Sequence, residues 1–267
     1  MPDPFAFNVP AFNVPAFDPA FNISLRKRTA DFSFVTDIAF VYFDLDDTLI
    51  DHQHAEREAL ADIRDQYLEI FGTLSVDELQ GTYHDINRPL WRQYADGDIA
   101  KEDVKHQRFE RLLEAIGADH ADAGLVGRSY LKRYAKHWQF VDGAREIYET
   151  VSERRPVGVL TNGFSEVQAQ KLDRFPVIAD RAEAVVISEE VGVMKPHPKI
   201  FKHATQQARV DPENVLYVGD SYRSDVEGGQ QAGWCVAWFA RNGTDGRQTN
   251  DRGFVFDDWS TFGERVL

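Results

Sequence analysis

The sequence predicts an α/β fold: a parallel sheet with helices on both faces, and a helical bundle inserted after the first strand. Three patterns carry that expectation. From about residue 157 onward, short apolar runs alternate with amphipathic helical stretches, as strand–helix–strand units with right-handed crossovers require. Residues 54–139 instead repeat their apolar positions at helical spacing throughout. Finally, the apolar run Phe40-Val41-Tyr42-Phe43 stops in the acids Asp44, Asp46 and Asp47, and three later polar fragments follow apolar runs in the same way.

Taken in order, residues 1–30 stand apart. Ala6-Phe7-Asn8-Val9-Pro10 recurs as Ala11-Phe12-Asn13-Val14-Pro15 and decays to Ala16-Phe17-Asp18-Pro19. Recurrent proline forbids a continuous helix and disrupts strand pairing, so an extended, disordered low-complexity tail is expected. The first strand begins near Ile38. Ala55 to Phe71 then carries Ala59, Leu60, Ile63, Tyr67, Leu68 and Phe71 near helical spacing, and Ser75 followed by Glu78 reads as a capping box opening a second helix with Leu79, Tyr83, Ile86 and Leu90 on one face. Val104, Phe109, Leu112, Leu113 and Ile116 mark a third helix, and Leu125, Val126, Tyr130, Leu131 and Tyr134 a fourth. The apolar runs Val157–Leu160, Ala184–Ile187, Val215–Val218 and Cys235–Phe239 predict further strands, separated by helices such as Ser165–Phe175 and Lys199–Ala208. Val255 and the stretch Trp259–Val266 close the fold. Residues 31–53 and 140–267 thus form the expected Rossmann-like core, and 54–139 the insertion.

A chain of 267 residues with 43% hydrophobic content can bury a sizeable core in one domain plus an insertion. Cys235 is the single cysteine, so no intramolecular disulfide forms and a cytoplasmic home is the default expectation. No apolar run approaches a membrane span, and the N-terminus lacks the basic start and apolar core of a secretory signal. A formal charge of −14 argues against a nucleic-acid surface. It does not exclude an anionic small substrate, because a bound cation, a lysine and backbone N–H groups focus positive potential locally.

Asp44 and Asp46 stand at a strand end, where ligands bind in open parallel sheets. A calcium loop starting at Asp44 fails, since Leu49 falls where the EF-hand requires Gly and Ala55 where it requires Glu. The acids are followed in order by Thr161-Asn162-Gly163, Lys195-Pro196, and Gly219-Asp220-Ser221 with Asp225. Together these four pieces resemble the signature set of the haloacid dehalogenase-like (HAD) hydrolase superfamily. The segments Asn87 to Tyr94, Thr161 to Phe164, Ile187 to Gly192 and Gly219 to Asp225 look like its pyrimidine 5′-nucleotidase branch.

That resemblance implies a phosphate monoester hydrolase with a mobile α-helical cap formed by the insertion. Asp44 would be the nucleophile that forms an aspartyl-phosphate, and Asp46 the general acid and base. Thr161, Asn162, Gly163 and Lys195 would bind the transferring phosphoryl group. Mg2+ would be held by the side chains of Asp44 and Asp220 and the carbonyl of Asp46, with Asp225 orienting water or Lys195. His52 and His54 suggest zinc, but a site built from hard oxygen donors and their position at the cap linker argue against it. Trp91, Arg92, Tyr94 and Arg108 are candidates for substrate contact, with Arg92 the preferred one. The expected substrate is a small phosphate monoester, foremost a pyrimidine nucleoside 5′-monophosphate. Sugar phosphates and phosphoglycolate are alternatives, the dehalogenase and phosphomutase chemistries of related folds follow behind, and a non-enzymatic binding protein comes last.

Overall fold

The computed structural model describes residues 37–267; the repeats of the N-terminal tail lie outside the described residues. Six parallel strands, β1 (Phe40–Phe43), β2 (Val157–Thr161), β3 (Ala182–Ile187), β4 (Val215–Gly219), β5 (Cys235–Phe239) and β6 (Gly253–Phe256), form one sheet in the order β3-β2-β1-β4-β5-β6. Strands β1, β2, β4 and β5 are buried at every position, which is why they read as continuous apolar runs. The edge strands β3 and β6 expose some of their residues, as strands covered less completely do.

Alternation splits β1 between two cores: Val41 and Phe43 face one side with Tyr148, Trp259 and Phe262, whereas Phe40 and Tyr42 face the other with Phe201, Tyr217 and Trp234. The chain runs from β1 through β2 to β3 on one flank, then from β4 to β6 on the other. The carboxyl ends of β1 and β4 therefore border the crevice where such sheets bind ligands.

The insertion comprises α1 (His52–Gln66), the short α2 (Leu68–Phe71), α3 (Val76–Asp96), α4 (Lys101–Ala115) and α5 (Ala123–Tyr134). Asp51 caps α1 by accepting from the His54 N–H at 3.1 Å, so the helix starts two residues before residue 54. The expected single helix to Phe71 breaks at Tyr67, whose ψ of 57° is not helical. The capping box is as expected. Ser75 Oγ accepts from the Glu78 N–H at 3.2 Å and the Glu78 carboxylate accepts from the Ser75 N–H at 2.8 Å. Helix α3 stops at Gly97, whose φ of 81° suits a residue without Cβ. The two crossings between sheet and insertion run side by side, with the Asp51 N–H donating to Gln139 O at 3.0 Å and the Val141 N–H to Leu49 O at 2.9 Å.

The core continues with α6 (Ala144–Ser152), α7 (Ser165–Arg174), α8 (Pro176–Arg181), α9 (Ser188–Val191), α10 (Pro198–Ala208), a π-helical stretch Tyr222–Glu227, α11 (Gly228–Gln231) and α12 (Trp259–Val266). Among the described residues, no helix is long and apolar enough to cross a membrane.

Candidate active site

Asp44 extends the β1–β4 ladder by one residue, its N–H donating to Val218 O at 2.8 Å, and this fixes its side chain at the crevice. Leu45 turns inward and is fully buried, so Asp44 and Asp46 both reach the open end of the sheet. Burial pushes the Asp44 carboxyl up to about 7; Lys195 opposes that rise while Asp225 and Asp46 add to it.

Lys195, in the loop after α9, is 4% exposed and lies 2.9 Å from Asp44 Oδ1 and 2.8 Å from Asp225 Oδ1. It also donates to the Tyr217 hydroxyl at 2.6 Å. Burial would lower its pKa, but Asp225 and Asp44 outweigh burial and hold it above the usual lysine range, so it stays charged. Asp225 is fully engaged: Oδ1 takes Lys195, and Oδ2 accepts from the Ser221 N–H at 2.9 Å. The bare Gly219 makes this possible, since a Cβ there would fall 2.5 Å from Asp225 Oδ2.

The Asp44, Asp220 and Asp225 side chains each bring an oxygen within 4.8 Å of the others. With Asp225 committed to Lys195 and Ser221, a cation would be held by Asp44 and Asp220. Burial and the neighbouring Asp225, Asp47 and Asp44 raise the Asp220 carboxyl well above its ordinary value. Crowded carboxylate oxygens of this kind fit a hard divalent cation such as Mg2+ and suit no soft metal. The histidine pair plays no part in it. His52 Nδ1 lies 2.6 Å from the Tyr134 hydroxyl and Nε2 3.8 Å from buried Glu56.

Thr161, at the end of β2, is fully buried, and its hydroxyl accepts from Gln168 Nε2 at 2.8 Å. The Asn162 side chain ties two loops together: Oδ1 accepts from the Lys195 N–H at 2.8 Å and Nδ2 donates to Lys195 O at 3.1 Å. The Gly163 N–H donates to Ser188 Oγ at 3.1 Å, which engages a donor expected to serve phosphate. A Cβ on Gly163 would lie 2.8 Å from Gln168 Nε2, so this glycine admits the Gln168 side chain.

Two residues of α7 join the site without a sequence forecast. Lys171, 2% exposed, places Nζ 2.5 and 2.8 Å from the two oxygens of Asp46, and Gln168 Nε2 donates to Asp46 Oδ2 at 3.1 Å. Burial would raise the Asp46 pKa, but Lys171, then His52 and Gln168, overcome burial and hold it low. Tyr134 and Trp138 present their ring faces to the Lys171 ammonium at 5.3 and 5.8 Å. The available signal was modest: Gln168 and Lys171 sit three apart, next to Leu172 on the buried face of a helix. Asp47 is held elsewhere, by Arg241, which also binds Asp51.

A cleft lies between the insertion and the sheet's carboxyl edge and has two halves. The inner half, about 520 Å³, is lined by Asp46, Asn162 and Gly163, by Tyr83, Tyr130 and Trp138, and by Arg108. The outer, about 710 Å³, is bordered by Asp47, Lys195, Ser221 and exposed Arg92. Trp91 of α3 stacks on Phe164 at 4.6 Å, and Lys101 of α4 pairs with Glu189 at 2.9 Å and with Glu166, so the insertion is latched to the site loops.

Residues 38–233 match the family model described as haloacid dehalogenase-like hydrolase. The chain belongs to the haloacid dehalogenase-like hydrolases. The family expectation drawn from the four motifs is thereby borne out. This hydrolase is 32% identical over 200 residues to the pyrimidine 5′-nucleotidase YjjG of Escherichia coli (strain K12), covering 74% of the present chain and 84% of that protein. It is 32% identical over 205 residues to the glyceraldehyde 3-phosphate phosphatase of Methanopyrus kandleri, covering 73% and 81% respectively. Its fold resembles that of Bacillus subtilis YfnB crystallised with magnesium, with a TM-score of 0.71, 24% identity, and coverage of 86% of this chain and 98% of that one.

Proposed function

We propose that this hydrolase cleaves phosphate monoesters, foremost pyrimidine nucleoside 5′-monophosphates, through an aspartyl-phosphate on Asp44 and with Mg2+ as cofactor. The observation that carries the reading is the juxtaposition of buried Asp44, flanked by Lys195, with Asp46 at the mouth of the aromatic inner cavity. The nucleotidase and phosphatase relatives support the same class. Residues 54–139 act as the cap, and its helices cover the leaving group.

Asp44 Oδ attacks phosphorus, the bond from phosphorus to the ester oxygen breaks, and Asp46 delivers a proton to the departing alkoxide. Water then attacks the phosphorus of the aspartyl-phosphate, Asp46 takes the water proton, and inorganic phosphate leaves with Asp44 restored. Lys195 holds positive charge against the phosphoryl oxygens, and the Asn162–Gly163 loop borders the cleft beside them. Asp44 and Asp220 would hold Mg2+, which would supply charge neutralisation for the phosphoryl oxygens. Asp225 keeps Lys195 in place. Substrate phosphate adds negative charge beside Asp46 and so raises its pKa from the low value set by Lys171, which favours the acid form the first step needs.

Lys171→Met is expected to lower kcat roughly tenfold to hundredfold for nucleotides and alkyl phosphates, because Asp46 loses the contact that orients its carboxyl toward the departing oxygen, and less for an aryl phosphate whose leaving group needs no proton. A leaving-group series measures this. An equal loss across the series would show that the Lys171–Asp46 pair only supports the fold.

The reading as a whole is tested by assaying phosphate release from UMP, TMP, AMP, GMP and sugar phosphates, with Mg2+ or with a chelator. UMP and TMP are expected to exceed the purine nucleotides about tenfold or more in kcat/KM, because a cap that closes on one ring fails to shut on two. Activity confined to sugar phosphates defeats the nucleotide assignment, and undiminished turnover in chelator defeats the metal.

A further inference from the structure

The inner cavity is lined by a cation that has no salt-bridge partner among the described residues. Arg108, on α4, is 7% exposed, and no carboxylate lies within salt-bridge distance of it among the described residues. Its guanidinium is wedged against the faces of Phe109 and Tyr130, at 5.3 and 5.6 Å from the ring centroids. One nitrogen, Nη1, lies 3.4 Å from the Tyr83 hydroxyl, a long contact, and Nε is buried with no hydrogen-bond partner among the described residues. Asn87 stands one helical turn beyond Tyr83 on α3, so it shares the face that meets Arg108, and its Oδ1 is buried and likewise without a hydrogen-bond partner among the described residues. Both residues line the cavity that Asp46 also lines.

A buried guanidinium costs free energy unless acceptors meet it, and an unpaired amide costs a smaller amount in the same way. Here the missing partners are of opposite kinds, an acceptor for Arg108 and a donor for the amide oxygen of Asn87, within a slot walled by flat aromatic rings. The side on which the leaving group lies follows from Asp46. The carboxylate that protonates the departing oxygen lines the inner half of the cleft, so the alcohol part of the ester points toward Arg108 and away from Arg92.

We infer that Arg108 and Asn87 form a recognition subsite for the leaving group, reading the adjacent carbonyl and N–H of a flat cyclic imide such as the uracil or thymine ring. This rests on the phosphate monoester function proposed above and deepens it by assigning the residues that select the substrate. Arg108 donates to a ring carbonyl oxygen, the Asn87 amide accepts from the ring N–H, and the aromatic walls pack on the ring faces. A substrate lacking an acceptor at that depth leaves the guanidinium unmet and is discriminated against. The shared requirement is an acceptor oxygen far from the phosphate, which a carboxylate on the leaving group would also supply.

The experiment compares wild type, Arg108→Lys and Asn87→Leu on three substrates: UMP, phosphoserine as a carboxylate-bearing ester, and ribose 5-phosphate, which has the sugar and phosphate without the base. The kcat/KM ratio of UMP to ribose 5-phosphate is expected to fall roughly tenfold to hundredfold in each variant, mostly through KM. Melting curves identify a variant that does not fold; if Arg108→Lys is lost in that way, Asn87→Leu must show the fall by itself. Should wild type ignore UMP while Arg108→Lys depresses phosphoserine relative to ribose 5-phosphate, the imide is wrong and the nucleotide reading falls with it. An unchanged ratio in folded variants of an enzyme that prefers UMP overturns the subsite and leaves the proposed function standing.

Discussion

Asp44→Asn is expected to reduce phosphate release at least about thousandfold, because the amide keeps the shape of the side chain and removes its nucleophilic oxygen. The folded state should not suffer. Asp44 is a buried carboxylate disfavoured by burial and by Asp225 and Asp46, and Lys195 retains Asp225 and Tyr217 when its contact with Asp44 weakens. The melting temperature of the variant without added metal is therefore expected to equal or exceed that of wild type. Acid-quenched wild type in turnover should carry a covalent phosphate that the variant lacks. Substantial turnover by Asp44→Asn would remove the covalent mechanism.

Lys195→Met is expected to damage both stability and catalysis. The ammonium sits between Asp44 and Asp225, whose side chains are 10% and 0% exposed, so its loss leaves buried negative charge without its partner. Breaking a buried pair from one side costs about 3–5 kcal/mol. A shift of that size lowers the melting temperature by about 10 °C in a chain of this length. Turnover should fall at least about hundredfold as well, since the positive charge facing the phosphoryl oxygens is gone. Chemical denaturation and steady-state assays on the same preparation check both expectations. Unchanged stability would mean that Asp44 and Asp225 do not depend on Lys195 for their charge balance. Arginine should not restore activity, because its planar fork cannot replace a compact ammonium that meets Asp44, Asp225 and Tyr217 at 2.6–2.9 Å.

The sheet was legible because strands buried on both faces must be apolar at every position, so Val157 to Leu160 and Cys235 to Phe239 announce themselves locally. Ser75 and Glu78 were legible for a similar reason, since a capping box closes within four residues. The motif residues also cluster at strand ends, and the topology then gathers those ends.

The pairing of Lys171 with Asp46 crosses 125 residues, and nothing near either residue encodes it. Likewise, the engagement of the Gly163 N–H by Ser188 depends on the side-by-side placement of β2 and β3. The choice between Arg92 and Arg108 belongs to the same class. Both arginines sit on amphipathic helices of the insertion, yet packing of α3 against α4 leaves Arg92 exposed on the outer half of the cleft and drives Arg108 into the inner one. The sequence by itself determined which polar residues stand at the strand ends, because backbone pairing and burial act over a few residues. The tertiary structure decided which cations face Asp46 and line the inner cavity, because charge and cavity walls act through space between segments whose orientation no local pattern records.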